Sequence, residues 1–190
     1  KDQGGQLYLQ KRDGSFIKKE QAIFKQYRDF EDVAALFFDA DGDRDLDLFL
    51  GAGGNNVQPG SRSIEHRLYK NDGRGGFTID GAAFPANSMN ISVATAHDWD
   101  RDGDMDLFVG SRSVPFNYGQ VPQSYLYQND GQGHFKDVAP PAISSAGMVT
   151  GAVWADVMGD GREELILTGQ WMTTRIFTAS TGGFKEVKGT

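Results

Sequence analysis

Apolar positions along the chain fall into short runs separated by turn residues, and the same four runs recur in the same order three times. The first run is small and mostly apolar: Val33-Ala-Ala-Leu-Phe-Phe38, Val93-Ala-Thr-Ala-His97 and Gly151-Ala-Val-Trp-Ala155. The second is unbroken: Leu48-Phe-Leu-Gly51, Leu107-Phe-Val-Gly110 and Leu165-Ile-Leu-Thr-Gly169. A continuous apolar run of that length predicts a strand buried on both faces. After a variable loop comes a third strand: Arg67-Leu-Tyr-Lys70, Tyr125-Leu-Tyr-Gln128 and Arg175-Ile-Phe-Thr178. A Gly-rich turn and a fourth strand headed by Phe close each unit: Asn71-Asp-Gly-Arg-Gly-Gly-Phe77, Asn129-Asp-Gly-Gln-Gly-His-Phe135 and Ala179-Ser-Thr-Gly-Gly-Phe184. Asn-Asp-Gly supplies the positive φ that tight hairpins need. No long segment carries a 3.6-residue apolar period.

Four-stranded meanders in tandem predict an all-β chain built of β-propeller-type blades. A solenoid is the alternative, but its usual repeats are shorter or helical. The N-terminus holds only the second half of a unit, with Leu7-Tyr-Leu9 as a third strand and Arg12-Asp-Gly-Ser-Phe16 as hairpin and fourth strand. Segment 21–30 reads as a linker in preference to a short helical turn. The expected division is a half-blade and linker at 1–30, then full blades at 31–80, 81–140 and 141–190. Three full blades plus a half-blade make a partial propeller, since closed rings use about four to eight. The open blade faces and strand edges are therefore expected to pair with the remaining blades of a longer chain or with another copy.

Charge changes the picture at one place in each unit, the loop between the first and second strands. Loops 39–47 and 98–106 each hold five Asp and one Arg, and loop 156–164 holds two Asp, two Glu and one Arg. They carry a net −11, whereas the whole chain of 190 residues carries −7, so everything else is +4. The acidity is local and has a reason to hold cations. Cysteine is absent, so disulfides and thiolate chemistry are excluded. There is no basic stripe for nucleic acid, no run of membrane-spanning length and no signal-peptide apolar core in the first 20 residues.

Oxygen ligands at loop positions 1, 3, 5 and 9 suit a hard cation. They are Asp39, Asp41, Asp43 and Asp47 in the first loop and Asp98, Asp100, Asp102 and Asp106 in the second. Position 7 (Asp45, Asp104, Arg162) can add a carbonyl. The third loop offers Asp156, Asp160 and Glu164, with Met158 at position 3. With no His or Cys among the ligands, zinc and copper are disfavoured, and flexible many-oxygen coordination favours Ca²⁺ over Mg²⁺. The expectation is two Ca²⁺ sites and a weaker third. An EF-hand is excluded, because its position-12 Glu is here Leu50, Val109 or Leu167, inside apolar strands.

The 1–2 loops and 3–4 hairpins share one face of the blades, so the variable loops 52–65, 111–123 and 170–173 belong to the other. Loops on a rigid scaffold commonly carry recognition. Asn55, Asn56, Arg62, His66, Arg112, Phe116, Asn117, Tyr118 and Trp171 are the candidates for contact with a carbohydrate or protein ligand. Ser61-Arg-Ser63 and Ser111-Arg-Ser113 look like equivalent anion-binding tripeptides, although chance composition explains them equally well. His97 and His134 have no neighbouring motif for general-base or metal work.

The sequence Asp-x-Asp-x-Asp-x-x-x-Asp followed by Leu-Phe-x-Gly, then Leu-Tyr-x-Asn-Asp-Gly-x-Gly-x-Phe, resembles FG-GAP/VCBS repeats over about residues 5–188. These build the propeller of integrin α subunits and of many bacterial secreted proteins. The bacterial cartilage-acidic-protein (ASPIC/UnbV-like) type is the most similar. Three features depart from the pattern: Arg44 stands where the family has Gly at loop position 6, the third loop lacks one acid, and the Phe-Gly…Gly-Ala-Pro signature is absent. The resemblance implies Ca²⁺ in the hairpin loops and recognition or adhesion outside the cell or in a bacterial envelope, with no shared reaction. The other function class is the propeller portion of a secreted polysaccharide-active lyase or hydrolase, which should show an acid/base pair on the variable face. The sequence shows no such constellation.

Overall fold

The computed structural model describes residues 4–54, 57–58, 60–180 and 183–187. Each repeat forms one antiparallel four-stranded meander. In the first, β3 (Asp32–Phe38), β4 (Asp47–Ala52), β5 (Arg67–Asn71) and β6 (Phe77–Asp80) lie in sequence order. The second holds β7 (Asn90–His97), β8 (Asp106–Ser113), β9 (Tyr125–Asn129) and β10 (Phe135–Asp137). The third holds β11 (Met148–Ala155), β12 (Glu164–Gln170), β13 (Arg175–Ser180) and β14 (Gly183–Glu186). Ahead of them, β1 (Leu7–Gln10) and β2 (Phe16–Lys19) make a two-stranded hairpin. The chain is all-β, with three propeller-like blades and a half-blade.

Register makes the repeats equivalent residue by residue. The last residue of each inner strand pairs with the acid at loop position 9: Phe38 with Asp47, His97 with Asp106, Ala155 with Glu164. One position on, Leu48, Leu107 and Leu165 pair with Tyr69, Tyr127 and Phe177. Each inner strand bulges near its start, opposite or beside Gly51, Gly110 and Gly169.

Alternation along the second and third strands divides the core between the two faces of each blade. Leu107, Val109, Tyr125 and Tyr127 join Phe49 and Leu68 between the first and second blades. Phe108 and Leu126 point the other way, into a cluster with Val149, Trp154, Leu165, Leu167 and Phe177 of the third. The remaining face of the first blade, Leu48 and Tyr69, is covered by α1 (Ala22–Gln26), whose Phe24 sits edge-on to Tyr69 at 5.4 Å. The linker segment 21–30 thus contains a helical turn, because Phe24 gains a buried site when the chain coils there. A second short helix, α2 (Pro141–Ser144), was not legible in the apolar pattern; Pro141 pre-sets its first turn and Ile143 is fully buried. Val33 and Phe37 on β3 and Val153 on β11 remain exposed.

Close approach of neighbouring blades falls on glycines. A Cβ on Gly53 would lie 2.4 Å from the backbone oxygen of Ile91, on the inner strand of the next blade. Backbone cannot step aside as a side-chain tip can. Gly53→Ala should therefore destabilise by about 1–3 kcal/mol. At about 2–4 °C per kcal/mol for a chain of this size, thermal unfolding will register it. Gly81, with nothing within 4 Å, is the control: Gly81→Ala should stay within about 0.5 kcal/mol of the parent.

Candidate metal centre

The three acidic loops share one backbone solution. Positions 4 and 6 are left-handed in each: Gly42 and Arg44, Arg101 and Gly103, Gly159 and Gly161. Arg44 therefore holds a φ of 74° without glycine's freedom, a conformation costing roughly 1–2 kcal/mol. The position-1 carboxylate folds the loop around itself. Asp39 accepts the N–H groups of Gly42 and Arg44, and Asp98 those of Asp102 and Gly103. Asp156 accepts those of Gly159, Asp160 and Gly161. At position 5, Asp43, Asp102 and Asp160 each accept the N–H two residues on, at 2.9–3.0 Å.

Position 9 is the buried end of the loop. Asp47 accepts from the N–H of Ala40 and of Asn71, and so ties loop to hairpin. Asp106 accepts the Asn129 N–H through Oδ1, while its Oδ2 is buried without a partner. The hairpin asparagines, which the sequence reading used only for turn chemistry, complete the tie. Asn71 donates to the Leu46 carbonyl. Asn129 donates to the Met105 carbonyl and, across the blade boundary, to that of Ala40 at 2.8 Å. The third blade has Ala179 at this place and forgoes that tie.

These folds bring carboxylates together in two of the three loops. Oxygens of Asp39, Asp41 and Asp43 lie within 4.8 Å of one another, as do those of Asp98, Asp100 and Asp106. Asp41 Oδ1 and Asp45 Oδ1 are buried and unpartnered, like Asp106 Oδ2. Burial, aided by Asp100, Asp102 and Asp98, pushes the Asp106 carboxyl up to about 7 against the opposing pull of the Asn129 N–H. Burial also raises Asp47, and desolvation with the neighbouring aspartates raises Asp45 and Asp104. An all-oxygen set with orphaned, mutually repelling carboxylates fits a hard divalent cation. The third loop differs. Its Asp156 is held below the usual carboxylate range, chiefly by the Gly161 N–H, and Met158 is exposed where a carboxylate would stand. Among the described residues, Asp156, Asp160 and Glu164 form no such cluster, although Glu164 Oε1 is buried and unpartnered. The Arg162 N–H donates to Asp160.

The opposite face gathers some of the ligand candidates and scatters others. Arg112, which belongs to β8 and not to a loop, and Tyr118 both donate to Gln170 Oε1, at 3.4 and 2.7 Å. The Tyr118 ring stands 5.8 Å from that of Trp171, almost perpendicular to it. Trp171 and Phe116 take positive φ (54° and 60°) and are exposed. Asn117 closes the adjoining turn on Val114 and Pro115. Gln170, unflagged by sequence, is the link between the blades. Arg62 lies apart, exposed on a single 3₁₀ turn at Arg62–Ile64, while Ser111-Arg-Ser113 is strand; the two tripeptides are therefore not equivalent. His66 does not face solvent. It is packed among Phe49, Phe84, Tyr125 and Tyr127, its pKa lowered by burial to about 3. Asn55 and Asn56 lie outside the described residues. His97 lies 3.3 Å from Glu163 and against Trp154, and His134 lies 3.2 Å from Asp130, both on the acidic-loop face.

A comparison with curated proteins finds no match. The sequence signature described as FG-GAP-like repeat matches residues 39–109 and 114–167, about two thirds of the chain. Those spans contain the acidic loops, the apolar second strands and the hairpins whose ties are described above, and the chain belongs to the FG-GAP-like repeat family.

Proposed function

We propose that this chain is a non-catalytic, Ca²⁺-stabilised propeller segment serving protein or carbohydrate recognition in a secreted or cell-envelope protein. The observation that carries the metal reading is the pair of three-carboxylate clusters, with buried, unpartnered oxygens on Asp41 and Asp106 within them and on Asp45 in the first loop. Asp39, Asp41, Asp43 and Asp47, with Asp45, would hold one ion, and Asp98, Asp100, Asp102 and Asp106 a second. The cation would neutralise the loops and pin each hairpin. The family is generally non-catalytic and typical of extracellular proteins, which supports recognition over turnover. No helix among the described residues is long and apolar enough to cross a membrane.

Titration calorimetry of chelator-stripped protein with CaCl₂ should give two sites, at ~10⁻⁴–10⁻³ M as in extracellular modules, and a weaker third. Asp41→Ala should remove the first site and leave the second. Absence of heat, with a melting temperature indifferent to both Ca²⁺ and chelator, would refute the metal reading. Polysaccharide turnover lost in Asp43→Asn and Asp102→Asn while folding persists would refute the non-catalytic one.

A further inference from the structure

The face opposite the acidic loops carries an organised cluster that neither the metals nor the packing uses. Arg112 Nε can only donate, so the Gln170 amide must turn its oxygen toward Arg112 and Tyr118. That orientation aims the Gln170 NH₂ away from both, and it has no partner among the described residues. Arg112 likewise forms no ion pair among them, and its side chain is solvent-accessible. Beside these donors stands Trp171, 80% exposed, braced by Tyr118 and with Gly119 against its ring. Next to Tyr118 opens a cavity of about 310 Å³, lined among others by Val33, Asn90, Ser92, Arg112 and Ser113. Among the described residues Arg112 is the only charged one in that lining, on a chain whose net charge is −7.

We propose that this face binds a glycan bearing a carboxylate, with a sugar ring over the Trp171 indole and the carboxylate on Arg112. The proposal deepens the recognition reading above and rests on it. A pyranose has an apolar C–H face and a hydroxyl-lined edge. An exposed indole flanked by Tyr118, Gln170 and Arg112 presents the matching pair of surfaces. The cavity is at the small-ligand end of binding-site volumes. Its unopposed guanidinium selects for an anion, and Arg matches a carboxylate with two parallel hydrogen bonds. The −11 of the acidic loops sits at the other end of the blades, where it opposes the anion least.

The test is titration of the Ca²⁺-saturated full chain with uronate trisaccharides and sialyllactose, each beside its carboxyl-reduced counterpart. We expect at least one acidic glycan to bind, and its reduced form to bind at least ~10-fold more weakly. Arg112→Gln should erase that ~10-fold preference, so that the acidic and reduced glycans bind alike. Trp171→Gly, which suits the positive φ and so preserves the loop, should weaken both by a similar factor. No binding by any of these glycans, equal binding of acidic and reduced forms, or indifference to both substitutions would overturn the proposal. The melting temperature with and without Ca²⁺ is read on the same samples. An intact Ca²⁺ response without glycan binding sinks this inference alone, and glycan binding without a Ca²⁺ response sinks the metal reading alone.

Discussion

Ca²⁺ at 10 mM should raise the melting temperature by roughly 10–20 °C over the chelated protein. At the tight end of the affinities expected above, about 10⁻⁴ M, that concentration is about 100 times Kd, and an ion binding only the folded state then adds about 2.7 kcal/mol per site. Two sites therefore contribute about 5 kcal/mol, and each kcal/mol is worth about 2–4 °C at this chain length. The chelated protein should also show an unusual pH slope. Folded Asp106 titrates near 7, whereas in the unfolded chain an aspartate titrates near its model value of 3.8. Between those values the folded state binds the extra proton, so its stabilisation is complete below the unfolded value and is lost as pH rises through the folded one. Asp45, Asp47 and Asp104 are shifted in the same direction. Asp106 alone should thus contribute a loss of about 2–4 kcal/mol on going from pH 4.5 to 7.5, read as the difference between the chelated parent and Asp106→Asn, because His66, buried neutral, gains stability over the same range. Asp106→Asn keeps the acceptor for the Asn129 N–H and removes the charge. It should make the chelated protein more stable at pH 7.5 while abolishing the second site's Ca²⁺ response. A variant less stable than its parent under those conditions would show that the Asp106 charge is compensated without a metal.

Strand type and order were legible because burial on two faces demands unbroken apolar runs, and Leu107-Phe-Val and Leu48-Phe-Leu are short and flanked by turn residues. The acidic loops were legible for the opposite reason: five carboxylates in nine residues stand out from a chain that is net positive everywhere else. The departure at Arg44 became intelligible only with the backbone in view. Positions 4 and 6 both need positive φ, and each of the first two loops meets one of them with Gly and the other with Arg. Contacts between repeats were not legible. The Asn129 bond to the Ala40 carbonyl spans 89 residues, and nothing in the local sequence of either repeat signals it. His66 and Arg112 were misplaced for a related reason. A loop boundary read from glycines ends the second strand too early, so Arg112 looked like a loop residue while His66 looked like a rim one. Residue 66 precedes the third strand and points between two blades, where apolar neighbours outvote its polarity.

Tyr127→Ala is expected to have the largest effect of any single side-chain truncation between the first two blades. Tyr127 is fully buried, stacked on Tyr125 at 5.4 Å and against Phe84 at 5.2 Å. Truncating an aromatic of that size in a packed core costs about 3–5 kcal/mol. Its hydroxyl, kept protonated by burial, shares a hydrogen bond with Nδ1 of neutral His66 at 3.1 Å, while Nε2 of that ring is buried without a partner. Tyr127→Phe keeps the ring and strands His66 Nδ1, so it should cost about 1–3 kcal/mol. Pairing it with His66→Phe removes both polar groups from the same apolar site. The double variant should therefore recover part of the loss, a positive coupling measurable in a urea-denaturation cycle. The metal loops supply a separate readout. In each, position 9 is tied to the hairpin asparagine of its own blade, so Tyr127→Ala should lower the melting temperature and still give two Ca²⁺ sites well below it. Loss of Ca²⁺ binding in a folded Tyr127→Ala protein would mean that contact between blades, and not the loop itself, sets the metal geometry. The bond from Asn129 to Ala40 would then be the first place to look.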